Sequence, residues 1–345
     1  MTEQHTAPNA TSIADSADWR SIVARYATPD SLRSIRQLAI TLVLLFASLW
    51  FAAWLIPVAP WASVLMLLPI AGFQIRTFII MHDCGHGSFS SWPRVNDAIG
   101  FITGVLTFTP YAQWRREHAL HHASSGDLDR RGYGDVTTLT CAEYRALSRF
   151  GRFKYRAYRS PFVLFGVGPL HMMVLQRFRA PGVATGKKQL WNVWMTNIAM
   201  AGLAAIGIVA FGWKPVVLLY LPAFYLAGAA GIWLFYVQHQ FEDAYWERHK
   251  AWDYATAAVM GSSYLRLPAV LNWFTGNIGL HHVHHLGPKI PNYRLKKAHE
   301  ENAIFHEAPV LTLRTAFRSL RLTLWDEQTG RMVGFRELRH MPRAG

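Results

Sequence analysis

The stretch "QLAITLVLLFASLWFAAWLIP", Gln37 to Pro57, holds 21 residues and no charge. At ~1.5 Å rise per residue, a helix of ~20 apolar residues crosses the ~30 Å hydrocarbon core of a bilayer. Working outward, Pro60–Ile75 follows after a two-residue turn, which predicts a tight helical hairpin ending at Arg76. Leu190–Trp213 and Pro215–Val237, separated by Lys214, predict a second pair. Three weaker apolar stretches, Ala98–Tyr111, Pro161–Gln176 and Tyr254–Leu280, are short or interrupted. The second carries the breaker Gly166-Val167-Gly168-Pro169, and the third carries Arg266 and Pro268. These read as interfacial or half-inserted helices.

Composition agrees with a membrane chain. Only 16% of the 345 residues are charged and 51% are hydrophobic, against about 25% charged in ordinary soluble domains. Fourteen Trp, 13 Tyr and 20 Phe suit lipid interfaces, where amphipathic rings collect. Two cysteines, Cys84 and Cys141, make no disulfide framework. The first 35 residues are polar and lack the basic-then-apolar pattern of a cleaved signal; residues 1–17 read as disordered. The net charge of +14 could signal nucleic acid, but the basic residues sit between apolar runs and form no basic amphipathic face, so nucleic acid is set aside.

Lys and Arg set the orientation. The two hairpin turns carry one Lys between them, whereas 115–189 and 248–345 carry fourteen basic residues each and 1–36 carry four. Positive charge marks the cytoplasmic side, so four spans with both termini inside the cytoplasmic membrane are expected. The fold class is an all-α integral membrane protein, with interfacial helices and a cytosolic helical cap. Its expected parts are an N-terminal cytosolic segment (1–35), a membrane domain (36–300) and a basic C-terminal tail (301–345).

The 16 histidines are clustered on that map. "HDCGH" puts His82 and His86 four apart, after the second span. "HALHH" holds His118, His121 and His122, and "HHVHH" repeats the spacing with His281, His284 and His285. His239 follows the fourth span. Residues three and four apart share a helix face, so each cluster aims two or three imidazoles at one point, all on the same side of the membrane. A lone interfacial histidine is usually a polar anchor, and His171, His249, His299, His306 and His340 are read so. Eight clustered imidazoles are another matter. Protonated they repel, and buried without partners they cost desolvation; a metal removes both problems. Imidazole serves Zn, Cu, Fe and Ni alike, but structural zinc takes four ligands, so eight or nine point to two ions. Cys84, two residues after His82, points off the shared face.

The chain resembles the membrane fatty acid desaturase family, and most closely its bacterial acyl-lipid branch. The matching stretches are "HDCGHGSF" (82–89), "WRREHALHHASSGDLDRRGYGD" (114–135), "YVQHQFEDAYWE" (236–247) and "GNIGLHHVHHLGPKIPNY" (276–293). The resemblance covers about residues 35–300. It implies a non-haem pair of iron ions held by three histidine boxes, with O2 and two external electrons used to insert a cis double bond into a fatty acyl chain. Carried over by position, the ligands are His82, His86, His118, His121, His122, His281, His284 and His285, with His239 as a ninth. His282 is one residue off the shared spacing and reads as a supporting residue.

Metal-bound histidine normally passes its other N–H to a carboxylate or carbonyl. Asp83, Asp127, Asp129, Asp135, Glu242, Asp243 and Asn277 are near enough, Asn277 four before His281 and hence on its face. "DLDRRGYGD" reads equally well as a solvated loop. Trp92, Tyr111, Trp114 and Phe241 are candidates to line a substrate tunnel, or are interfacial anchors. The substrate is expected to be a fatty acyl lipid or acyl thioester. No HPGG-type haem stretch occurs, so the electron donor is expected to be a separate protein, ferredoxin or similar. Three other functions fit part of the pattern: acyl hydroxylation or carotenoid ketolation on the same scaffold, a zinc-dependent membrane hydrolase or receptor, and a transporter with a histidine proton relay. The last needs ionisable residues inside the spans, and Gln37–Pro57 and Leu190–Val237 offer only Lys214, in a turn.

Overall fold

The structure is a computed structural model describing residues 19–174 and 186–342. The disorder expected for 1–17, and Gln176 at the end of one apolar stretch, lie outside the described residues.

Four helices are long and apolar enough to cross a membrane: Ser31–Val58, Pro60–His86, Lys187–Phe211 and Trp213–His239. The first starts at Asp30, whose side chain accepts from Arg33 N at 3.0 Å. Such a cap supplies one of the four donors that a helix start leaves unpaired. Pro60 opens the second, where its missing N–H costs nothing. The second span does not stop at Arg76. It continues to His86, ended by Gly87 at φ 70°, a left-handed position natural to glycine. The first histidine pair therefore sits on the last turns of the span itself. Gly212, at φ 79°, separates the third and fourth helices, and Lys214 rides in the first turn of the fourth.

Leu45 and Ala52 of the first span, Ile70, Ala71 and Phe73 of the second, and Leu219, Ala223 and Ala227 of the fourth form one buried cluster. The third span buries only Val193 and Thr196, and its remaining apolar surface suits lipid.

The weaker stretches resolve in three ways. Pro93–Leu106 is a 14-residue helix, too short to span. Phe162–Val174 is helical straight through the Gly-Val-Gly-Pro breaker, with residues 162–167 wound as a π-helix and Gly168-Pro169 opening the α-helical part. Tyr254–Leu280 is not an inserted helix. It breaks into Tyr254–Met260, a strand at Tyr264–Leu265 and a helix at Ala269–Phe274.

The described terminal parts are not appendages. Helix Trp19–Tyr26 docks on the C-terminal part: Tyr26 Oη donates to Glu301 at 2.7 Å, and Arg25 to Asn302 at 2.7 Å. Residues 301–342, expected as a tail, are woven into the same unit. Val310–Leu311 pairs with Tyr264–Leu265, and Leu324–Trp325 with Leu139–Thr140. Leu311, Trp325 and Met332 share a core with Phe241, Trp246 and Leu265. Strands of two or three residues have no readable period, which is why the sequence shows no domain there.

Candidate metal centre

Four elements carry the histidines to one place. His82 and His86 lie on the second span, and His118, His121 and His122 on helix Tyr111–Ser124. His239 ends the fourth span, and His281, His284 and His285 lie on helix His281–Leu286. Tyr111 fastens the second element to the first by donating to Cys84 O at 2.9 Å.

The nine imidazoles form two groups. His82, His86, His118, His122 and His284 make one; His121, His239, His281 and His285 make the other. Within each, the coordinating atoms lie within 4.8 Å of one another. The expectation that each cluster aims at a single point is corrected here. In both HxxHH boxes the i, i+4 pair turns to one group and the i+3 histidine to the other. His118 and His122 face the first group while His121 faces the second; His281 and His285 face the second while His284 faces the first. The groups abut, with the His122 and His285 rings stacked at 4.2 Å.

The ring nitrogens crowd together. Nε2–Nε2 distances are 3.1 Å for His118–His122 and 3.0 Å for His122–His284. In the second group they are 3.2 Å for His121–His239, 2.9 Å for His239–His281 and 3.1 Å for His281–His285. His121 gives its Nδ1–H to Asp135, and His239 gives its own to Gly261 O at 3.3 Å. With both rings in that tautomer the two Nε2 atoms present lone pairs to each other, an arrangement that a cation between them makes favourable. His86 Nε2 is buried with no protein partner. Imidazoles bound at ~2.1 Å to one ion and set at right angles stand ~3.0 Å apart, so the residues fit a metal in each group. Burial drives the pKa of His118, His122, His281, His284 and His285 well below the ordinary value, with neighbouring imidazoles adding to it. They are held as the neutral imidazoles that metal binding requires.

The supporting residues sort differently from their sequence neighbourhoods. Asp83 accepts from both Asn292 N and Nδ2 at 2.9 Å and stands 3.5 Å from His82 Nδ1. Asn292 lies within a quoted motif but passed unremarked in the sequence. Asn277 does not share a helix face with His281. The helix begins only at His281; Asn277 is in a turn at φ 58°, and its amide donates to Asn292 O at 3.4 Å. His282 belongs to neither group and contacts His299 Nδ1 at 3.1 Å. Asp127 bonds Arg130 and His249, Asp129 bonds Arg248, and Glu242 reaches Arg331 at 3.5 Å. "DLDRRGYGD" is thus mostly a loop tied by ion pairs, within itself through Asp127–Arg130 and outward to Arg248, His249 and Glu143, with Asp135 alone turned to a histidine of the two groups. Neither Asp243 nor Cys84 is in either group.

Of the aromatic candidates, Trp114 stacks on His118 at 4.5 Å and lies 5.6 Å from His82. Tyr111 is buried beside Cys84 and Gly100. Trp92 is 72% exposed, and Phe241 is packed in the hydrophobic core.

A helical membrane bundle carrying two histidine clusters narrows the comparison with known proteins. The fatty acid desaturase family model matches residues 59–314. The chain belongs to the fatty acid desaturase family. It is 45% identical over 322 residues to a fatty acid desaturase of Bacillus subtilis (strain 168), covering 93% of this chain and 91% of that one. More distant is the sn-1 acyl-lipid omega-3 desaturase (ferredoxin) of Nostoc sp. (strain 36), 28% identical over 233 residues, 65% of this chain and 62% of the relative. An endoplasmic reticulum omega-3 fatty acid desaturase of Nicotiana tabacum is 27% identical over 311 residues, 82% and 75% of the two chains. Membership makes this desaturase an oxidoreductase acting in fatty acid desaturation.

Proposed function

We propose that the protein inserts a cis double bond into a fatty acyl chain, using O2, at a pair of iron ions held by the two histidine groups. The carrying observation is the division of nine buried imidazoles into adjoining sets of five and four. The balance is one –CH2–CH2– unit, O2, two electrons and two protons in, and one –CH=CH– and two waters out. Bound iron supplies the oxidant strong enough to take hydrogen from an unactivated methylene.

The chain's own residues prepare that chemistry. Asp135 and Gly261 O hold His121 and His239 with Nε2 turned inward. Asn292 steadies Asp83 beside His82, and Trp114 walls the first group on the side of His118. Orienting contacts of this kind fix ligand geometry and tautomer.

The substrate is a fatty acyl lipid or acyl thioester reached from the membrane. The electrons come from a separate donor, ferredoxin or a similar carrier, as the names of distant relatives suggest. Both termini and the metal centre lie on the cytoplasmic side, where the basic loops collect. The test is expression in a host without polyunsaturated lipids, with any new double bond located by mass spectrometry. A hydroxylated or ketonic product in place of an alkene overturns the reading.

A further inference from the structure

A second site lies away from the histidines. A cavity of about 250 Å³ at the histidine-side ends of the first two spans is lined by three arginines, Arg33, Arg36 and Arg76, together with Gln37 and Tyr293. Arg76 sits within the second span. Its Nε donates to Thr41 Oγ1 at 3.1 Å, one terminal nitrogen donates to Trp273 O, and its face lies 4.2 Å from the Trp273 ring. Among the described residues no carboxylate is within ion-pair distance of Arg76 or Arg36. Arg33 has only the half-buried Asp30, at 3.4 Å. Gln37 is buried, and its Nε2 has no partner.

Three guanidinium groups line the cavity against the carboxylate of Asp30, with Asp83 acting on Arg76 from further along the second span, so positive charge is in excess at the membrane boundary. An ionisable residue at such depth is costly without a partner. Convergent guanidinium groups with an amide donor match the oxygens of a phosphate, which arginine binds through paired N–H groups. The volume limits the ligand. Pockets for drug-sized molecules run to about 300–1,000 Å³, so this one has room for a phosphate and its glycerol but not for a nucleotide. Below it, Ile40, Val43, Leu44 and Phe51 stand exposed on the first span at three-, four- and seven-residue spacing, an apolar stripe on one helix face. Acyl chains laid along that stripe run away from His82, which is ~9 Å further along the second span in the other direction.

We infer that this cavity binds the phosphate of an anionic glycerophospholipid that is not the substrate and that clamps the first span to the second. The surplus charge favours an anionic headgroup over a zwitterionic one.

The test uses the full chain purified in mild detergent. Native mass spectrometry should show one retained phospholipid, and added phosphatidylglycerol should raise the thermal midpoint where phosphatidylcholine does not. Arg36 is exposed and makes no ion pair, so Arg36→Gln should fold. It should bind phosphatidylglycerol about ten-fold more weakly, as expected for losing one charged hydrogen-bonding group, while Arg94→Gln, outside the cavity, binds normally. Equal binding by Arg36→Gln overturns the site. Equal stabilisation by inorganic phosphate shows a free-anion site and overturns the lipid. Conversion of the retained, isotopically labelled lipid to product shows a substrate headgroup and overturns the non-substrate role.

Discussion

His239 Nε2 lies 2.9 Å from His281 Nε2, although 42 residues separate them in the chain. A histidine outside all three boxes thus completes a four-membered group with His121 and His285. His249, ten residues on, is instead held at the surface by Asp127 at 2.8 Å. His239→Ala should fold and insert but lose one metal, and its activity should fall by more than the ~10–100-fold typical of losing an outer partner of a ligand. His249→Ala should stay active. Metal analysis and product assay of both variants check this, and a fully active His239→Ala with two ions bound would refute it.

Asp135 tests the layer behind the ligands. Its carboxylate accepts from His121 Nδ1, whereas Asp129, six residues earlier, faces exposed Arg248 at 2.8 Å. Asp135→Asn should weaken metal retention about 10–100-fold in a chelator competition. Asp129→Asn should match the wild type. Equal chelator sensitivity of the two variants would assign Asp135 to the loop alone.

The two variants also mark what the sequence could tell. Charge-free runs of 20 residues and histidines at i, i+3, i+4 are long-period signals, so the spans and boxes were legible. The sharing of each box between two groups was not, because it depends on how helices Tyr111–Ser124 and His281–Leu286 cross the second and fourth spans. Nor was the docking of residues 310–333, whose two- and three-residue strands carry no pattern. Asp135 and Asp129 looked alike in "DLDRRGYGD". Only the turn of the loop distinguishes them.

His282 makes stability pH-dependent. Burial, with His299 next in importance, pushes its pKa down to about 3. An unfolded histidine takes up a proton below about pH 6.5. Between those values the unfolded chain binds more protons than the folded one, so stability falls as pH drops through the window and is unaffected above it. Denaturant midpoints should decline from pH 6.5 downward, and His282→Gln should lessen that slope by the share of one proton, the buried metal-site histidines supplying the rest. Parallel curves for the two proteins would count against the assignment.

Topology gives an independent check. The boxes share one site, so Pro93–Leu106 lies between His86 and His118 without crossing the membrane. Reporter fusions at residues 90, 135, 250 and 330 should all read cytoplasmic, and fusions at 58 and 214 should read the far side. A fusion at 90 or 135 reading opposite to the other would separate two halves of the first histidine group and break the single-centre reading.

The metal count bears most directly on the chemistry. Five imidazoles in one group and four in the other can each hold an ion with positions left for oxygen. Anaerobically purified protein should carry about two irons per chain. His86→Ala strikes only the first group and His285→Ala only the second, so each should drop to about one iron with loss of desaturation. The two should differ in which ligand field survives, and Mössbauer or EPR spectra can tell them apart. Zinc in inactive overexpressed protein is no objection, because zinc competes well for imidazole sites in the affinity order. Active protein with stoichiometric zinc and no iron would be decisive against iron. Identical residual spectra from the two variants would count against two separate sites.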